Sequence, residues 1–263
     1  MIDSDKGIFQ QTIILCSDKK VEGWKGGGEI VQKQLWAGER WPALVAGDLG
    51  QALELLSIFR EHMNAAGPQT NKSILETLRV PVREMRSRLI EARVHLNSGL
   101  AYQEFLALGA YNNPPEFFDR TSREIEDITL GCELLIVGYI EGCPGIFHVH
   151  QDGSVTEQQH FCAIGTGGDR AEPVFFWRKY DWNTPKNQAM YLAYEAKKLS
   201  EVMPGVGSET EMSIVRWWGE DKPLSVHSVD CEVEMQENFK KYGPQPLPSE
   251  DFPNLGAHCF TEW

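Results

Sequence analysis

Apolar positions recur with two different periods along this chain, and the two kinds of segment come in blocks. Residues 8–20 form a strand-rich run, preceded by the turn-like Asp3-Ser4-Asp5-Lys6-Gly7. Lys25-Gly26-Gly27-Gly28 reads as a loop. It is no phosphate loop, because no Gly-Lys-Ser/Thr closes it. Residues 30–36 and 41–46 predict a hairpin around Ala37-Gly38-Glu39-Arg40, with Pro42 marking an edge or an irregularity of its strand. Asp48 then caps a helix, with Gln51 as its capping-box partner. Leu49, Ala52, Leu53, Leu55, Leu56, Phe59 and Met63 follow at helical spacing until Gly67-Pro68 stops the run.

A second helical region covers residues 73–109, interrupted at Pro81 and near Asn97-Ser98-Gly99. Residues 111–122, with paired Asn and Pro, read as a loop. Strands follow at 133–139, 145–150 and 155–161, the last two joined by the tight turn Gln151-Asp152-Gly153. A helix is expected at 169–179. Another starts at Thr184-Pro185, with Thr as N-cap and Pro at N1, and runs to Pro204-Gly205. Residues 211–218 form a final strand, with Met212, Ile214, Arg216 and Trp218 on one face. Blocks of helices between blocks of strands predict layers rather than alternating βαβ units. The fold class read from this order is α+β, two sheets stacked between two helical layers in a four-layer αββα sandwich. The domain assigned to it spans 1–218. Residues 219–263 form an extension with a short helix at 230–242 and a loosely held tail rich in Pro and acidic residues.

Composition narrows the function. A net charge of −13 argues against a phosphate-backbone partner and against docking on an anionic membrane. No apolar run reaches the roughly 20 residues of a membrane helix, and no secretory signal opens the chain. The six cysteines, at 16, 132, 143, 162, 231 and 259, match no zinc or disulfide framework, so free thiols in a reducing cytoplasm are expected.

Three stretches carry a resemblance. Ile13 to Val21 (IILCSDKKV), Leu44 to Leu53 (LVAGDLGQAL) and Ala163 to Ala171 (AIGTGGDRA) are similar, in that order and spacing, to segments of the proteasome-type N-terminal-nucleophile hydrolases, β-subunit-like. The resemblance covers residues 1–218 and is weakest between 68 and 130. It implies amide or peptide hydrolysis by the first residue of the first strand, whose own α-amine takes the hydroxyl proton. Asp18 matches the family's carboxylate beside the nucleophile. Lys33, on the following strand, resembles its buried lysine. Gly47 sits where a strand meets a helix N-terminus and would face a developing oxyanion. Thr166 matches a position often held by Ser. Each also has a local reading: a turn aspartate, a solvated lysine, a packing glycine, a loop-satisfying threonine.

The sequence departs from the family at the decisive place. It begins Met1-Ile2-Asp3, so the nucleophile is absent, and only two residues precede the first turn. An upstream segment bearing Thr, Ser or Cys would make the protein a threonine-type peptidase or amidohydrolase. The alternative is a non-catalytic structural or assembly subunit. Pro204 to Glu209, after the last long helix, holds Ser208 but no Asp. His148 and His150 share a strand face. With His160 on the paired strand they suggest a three-histidine metal site, against which surface or partly satisfied histidines are the favoured reading. No cofactor or metal is expected. The expected partners are a peptide or amide substrate and further copies of the chain in a homo-oligomer. Trp36, Trp217 and Trp218 would serve an interface or the core.

Overall fold

The computed structural model describes residues 12–22, 28–30, 32–66, 69–70, 72–112, 114–217, 224–229 and 232–244. The expectations placed on residues 3–11, 25–27, Gly67-Pro68, Trp218 and the tail beyond 244 lie outside them. The chain divides into two units, residues 1–230 and 231–263.

The first unit opens with β1 (Thr12–Asp18) and a small hairpin, β2 (Lys20–Glu22) and β3 (Gly28–Ile30). The next hairpin is β4 (Gln34–Gly38) and β5 (Trp41–Gly47). β5 is an inner strand, so Pro42 marks not an edge but an irregularity: the β4–β5 register shifts between Trp36 and Gly38, beside Pro42. Helices α1 (Leu49–Ala65), α2 (Ile74–Ser98), α3 (Tyr102–Asn112) and α4 (Pro115–Glu126) follow. Then come β6 (Cys132–Ile140), β7 (Cys143–Val149) and β8 (Val155–Gln158). The unit ends with α5 (Gly168–Trp177), α6 (Lys186–Ser200), β9 (Thr210–Arg216) and β10 (Ser225–Ser228).

Two antiparallel sheets stack. One runs β1-β9-β10, the other β4-β5-β6-β7-β8. The strand β6 shows why both its faces must be covered. Leu134 and Ile136 pack with Leu55, Leu56 and Phe59 of α1 and with Leu78 and Met85 of α2. Leu135 and Val137 face the other way, onto Ile13 and Leu15 of β1 and Val215 of β9. This alternation along one strand produces the two-sided burial. On the far side of the smaller sheet lie α5 and α6, joined through Ala171, Val174 and Ala196. The αββα sandwich is therefore present as read.

Several local expectations change. Pro81 does not break α2. It is buried within the helix, and burial of Ile74, Leu78, Val82 and Met85 outweighs the one hydrogen bond it forfeits. The second break is real, at Gly99, which caps α2 by donating its N–H to the His95 carbonyl. Residues 111–122 are not a loop but mostly α3 and α4, because Phe118 of α4 stacks on the buried Phe105 of α3 at 4.9 Å. The capping box at α1 is only half made. Asp48 accepts from the Gln51 N–H at 2.9 Å, but the Asp48 N–H goes to the Gly131 carbonyl, and Gln51 Oε1 is left buried without a partner. Thr184 is not the N-cap of α6, whose cap position is Pro185. Its hydroxyl instead accepts from the Asp181 N–H and closes a turn. β9 ends at Arg216, and the sheet continues past residue 218 as β10.

In the second unit the structure describes α7 (Glu232–Tyr242), with Met235 buried. Its acidic first turn and its Lys240 and Lys241 suit the helix dipole.

Candidate active site

Four features converge at one end of the seam between the sheets. Asp18 is the last residue of β1, and its carboxylate is buried. Lys33 precedes β4, one residue short of the strand expected to contain it, and its carbonyl accepts from the Val45 N–H. The Lys33 ammonium donates to Asp18 Oδ1 in an ion pair joining the two sheets' first strands. The other oxygen, Oδ2, accepts from the Gly207 N–H at 2.6 Å. Both lone-pair faces of the carboxylate are thus engaged, one by a charge and one by a backbone dipole.

The loop carrying Gly207 is held from behind. Lys197 of α6, itself buried, donates to the Ser208 carbonyl at 2.8 Å and to Glu201 at 2.6 Å. The resemblance implies an acidic and a hydroxyl side chain in this loop. What the loop supplies to Asp18 is a main-chain N–H, which no residue type announces.

Gly47 ends β5 at φ +86°, where the chain turns from strand into α1. A side chain there is excluded twice over, by the left-handed conformation and by the Gly131 carbonyl, 2.6 Å from the place a Cβ would take. Thr166 lies between Gly165 and Gly167, ahead of α5, and is exposed. The Gly165 N–H donates to Glu133 Oε2 of β6 at 2.9 Å. Asp18, Lys33, Gly47 and Thr166 all line one cavity of about 2260 Å³ between the sheets. The four residues singled out from sequence are therefore brought to one place.

Glu133 is the member that sequence reasoning missed. Its signal was present: it is the one charged residue in the otherwise apolar run Cys132-Glu133-Leu134-Leu135-Ile136-Val137, on the face that turns toward the second sheet.

Cys162 also lines this cavity, but burial, with Glu172 and Glu133 nearby, pushes its thiol up to about 12. It stays protonated and is a poor nucleophile at neutral pH. The histidines do not form a triad. His148 is buried, its ring lies 3.7 Å from that of His150, and its Nδ1 is 3.7 Å from Cys162 Sγ. His160 lies beyond the end of β8 and is exposed, because the strand stops at Gln158. Among the described residues no group of three His, Cys, Asp or Glu side chains is placed to hold a metal ion. Among them, too, no helix is long and apolar enough to cross a membrane.

Part of the chain, and its fold, resemble known proteins. Residues 115–215 match the proteasome subunit family model. That stretch contains Glu133 and Thr166 but not Asp18, Lys33 or Gly47. The structure superposes on Anbu (ancestral beta-subunit) from Yersinia bercovieri with a TM-score of 0.55. The alignment has 17% identity and covers 89% of each chain. A sequence comparison with curated proteins gives no match.

Proposed function

For this chain, which has the proteasome β-subunit-like Ntn fold, we propose amide or peptide hydrolysis at the Asp18–Lys33 centre. The observation that carries the reading is the ion pair itself. A lysine is held by a buried carboxylate, which is fixed in turn by a backbone N–H, at the mouth of a large cleft. Exposed ion pairs contribute little to stability, and one with a buried carboxylate must first offset the desolvation of its charges. One maintained across two sheets has a better use in setting the charge around a reacting group.

The reaction has defined parts. The hydroxyl or thiol of an amino-terminal Thr, Ser or Cys of the mature chain attacks the carbonyl carbon. The free α-amine takes the proton and passes it to the departing amine. Lys33 lowers the proton affinity of that group, and Asp18 keeps Lys33 in place. Gly47, at the strand–helix junction, offers its N–H to the oxyanion. Water then cleaves the acyl-enzyme. The fold also supports assembly into a homo-oligomer. The free thiols of Cys132, Cys143 and Cys162, among the described residues, support a reducing, cytoplasmic setting.

The test is the intact mass and N-terminal sequence of the protein from its native host, followed by treatment with a β-lactone. The reading expects a mature chain starting with Thr, Ser or Cys, acylated once on that residue, with acylation slowed in Lys33→Ala. A mature chain with another first residue and no acylation would establish the non-catalytic structural subunit instead.

A further inference from the structure

We infer that Glu133 is a positioning residue, which sets Thr166 against the Gly47 rim of the cleft. The inference rests on the hydrolytic reading for its purpose, but its geometry stands apart from it.

The turn that carries Thr166 is tied at three points. The Ala163 N–H donates to Glu172 Oε1 of α5 at 3.1 Å. The Gly167 carbonyl accepts from the Ser200 hydroxyl of α6 at 3.0 Å. Both of these ties run to the helical layer. The third, from the Gly165 N–H to Glu133 Oε2, runs to the five-stranded sheet. Among these ties, Glu133 alone fixes the turn to the sheet that carries Gly47.

Register makes the link short. Glu133 lies opposite Ala46, and the next pair along the ladder is Gly47 with Cys132. Gly165 sits directly on Ala46. A Cβ on Gly165 would stand 2.8 Å from the Ala46 Cβ, and its φ of +75° disfavours any side chain. One carboxylate and one missing side chain thus press the Thr166 turn onto Ala46, the residue before Gly47 at the end of β5. Thr166, between two anchored glycines, is left with its side chain exposed.

A carboxylate suits this task better than an amide. It accepts a stronger hydrogen bond from a main-chain N–H. It also offers no donor that would compete for the Gly165 carbonyl, which already accepts from the Gly168 N–H at 2.9 Å. Glu133 reaches no reacting atom on this account. It acts through the turn.

The experiment compares wild type, Glu133→Ala, Glu133→Gln and Gly165→Ala by amide hydrogen exchange resolved to the peptide 163–168. Loss of the tie should speed exchange at Gly165 by about ten- to hundred-fold in Glu133→Ala, with the β6–β7 ladder unchanged. Glu133→Gln, which keeps an acceptor, should stay within about three-fold of wild type. Gly165→Ala should loosen the same peptide with Glu133 intact, since its side chain has no room against Ala46. Unchanged exchange in Glu133→Ala would overturn the inference, as would a Gln variant as loose as the Ala variant. None of these readings requires a nucleophile or turnover, so they stand or fall separately from hydrolysis. Where acylation by the β-lactone is observed, Glu133→Ala should slow the acylation step without weakening initial probe binding, and Glu133→Gln should restore most of the rate.

Discussion

Single residues in this site are constrained by different forces, and each constraint has its own signature. Gly47 is constrained by the backbone. Gly47→Ala meets both a left-handed φ and the Gly131 carbonyl, so it should cost about 1–3 kcal/mol in urea denaturation, with the slope of the transition unchanged. Lys33 is constrained by its partner. Lys33→Met leaves the buried Asp18 with only the Gly207 N–H, and a loss of about 1–3 kcal/mol is expected at neutral pH. His148 is constrained by desolvation. Burial, reinforced by His150, holds its proton affinity below the ordinary value of 6.5, while Glu133 and Asp152 oppose the shift. The unfolded chain therefore binds more protons than the native one as pH falls through 6.5, and stability must fall in that direction. The slope from this one site is at most about 1.4 kcal/mol per pH unit. In thermal melts between pH 7.5 and 5, wild type should lose stability relative to His148→Gln as pH falls if the imidazole is responsible, because only wild type carries the penalty.

At the scale of elements, α5 and α6 show how a charge can hold two helices together. Arg178, just past α5, forks onto Glu195 of α6 at 2.6 and 3.1 Å, and Glu195 is fully buried. The pairing, against some desolvation, raises the hold of Arg178 on its proton. Arg178→Ala strands the carboxylate and should cost about 3–5 kcal/mol. Arg178→Met with Glu195→Leu should recover most of that loss, since a well-packed apolar pair replaces a buried ion pair at little cost. A double-mutant cycle in denaturant measures the difference. The sequence made elements of one kind legible and not the other. The stripe of α1 was readable because Ala52, Leu55, Leu56, Phe59 and Met63 are buried on the face that local periodicity defines. Helix α4 was not, because what holds it, the Phe118–Phe105 stack, lies on another helix. Pro81 misled for the same reason: a local rule was overridden by burial that only the fold supplies. In the site, Asp18, Lys33, Gly47 and Thr166 were found through a resemblance in short motifs, and the structure brings them to one cavity. The Gly207 N–H was invisible, since a main-chain donor leaves no mark on residue type.

Taken as a whole molecule, the candidate site is a property of the seam and not of either sheet. Asp18 ends a strand of the three-stranded sheet, while Lys33 and Gly47 belong to the hairpin of the five-stranded one. Their alignment is therefore set by how the two sheets lie on each other. That spacing is held by Leu135 and Val137 on one side and by Ile13, Leu15 and Val215 on the other. At the opposite end of the seam the half-buried Tyr139 of β6 donates its hydroxyl to the Val215 carbonyl of β9 at 3.0 Å, and desolvation pushes its proton affinity up to about 12. Leu134 and Leu135 are adjacent on one strand and face different layers, which separates stability from alignment. Leu134→Ala opens a cavity under α1 and α2, whereas Leu135→Ala widens the cleft between the sheets that Leu135 already lines. Each should cost about 2–5 kcal/mol. Only the second should disturb the site, because only it removes contact between the surfaces that carry Asp18 and Lys33. The check is the acetylation rate of Lys33, followed by mass spectrometry at a denaturant-free pH where both variants are folded. The Leu135 variant should expose Lys33 to reagent severalfold faster than the Leu134 variant of equal stability. Equal rates would mean that the ion pair is held by the loops around Lys33 and Gly207, with the stacked sheets contributing nothing to its alignment.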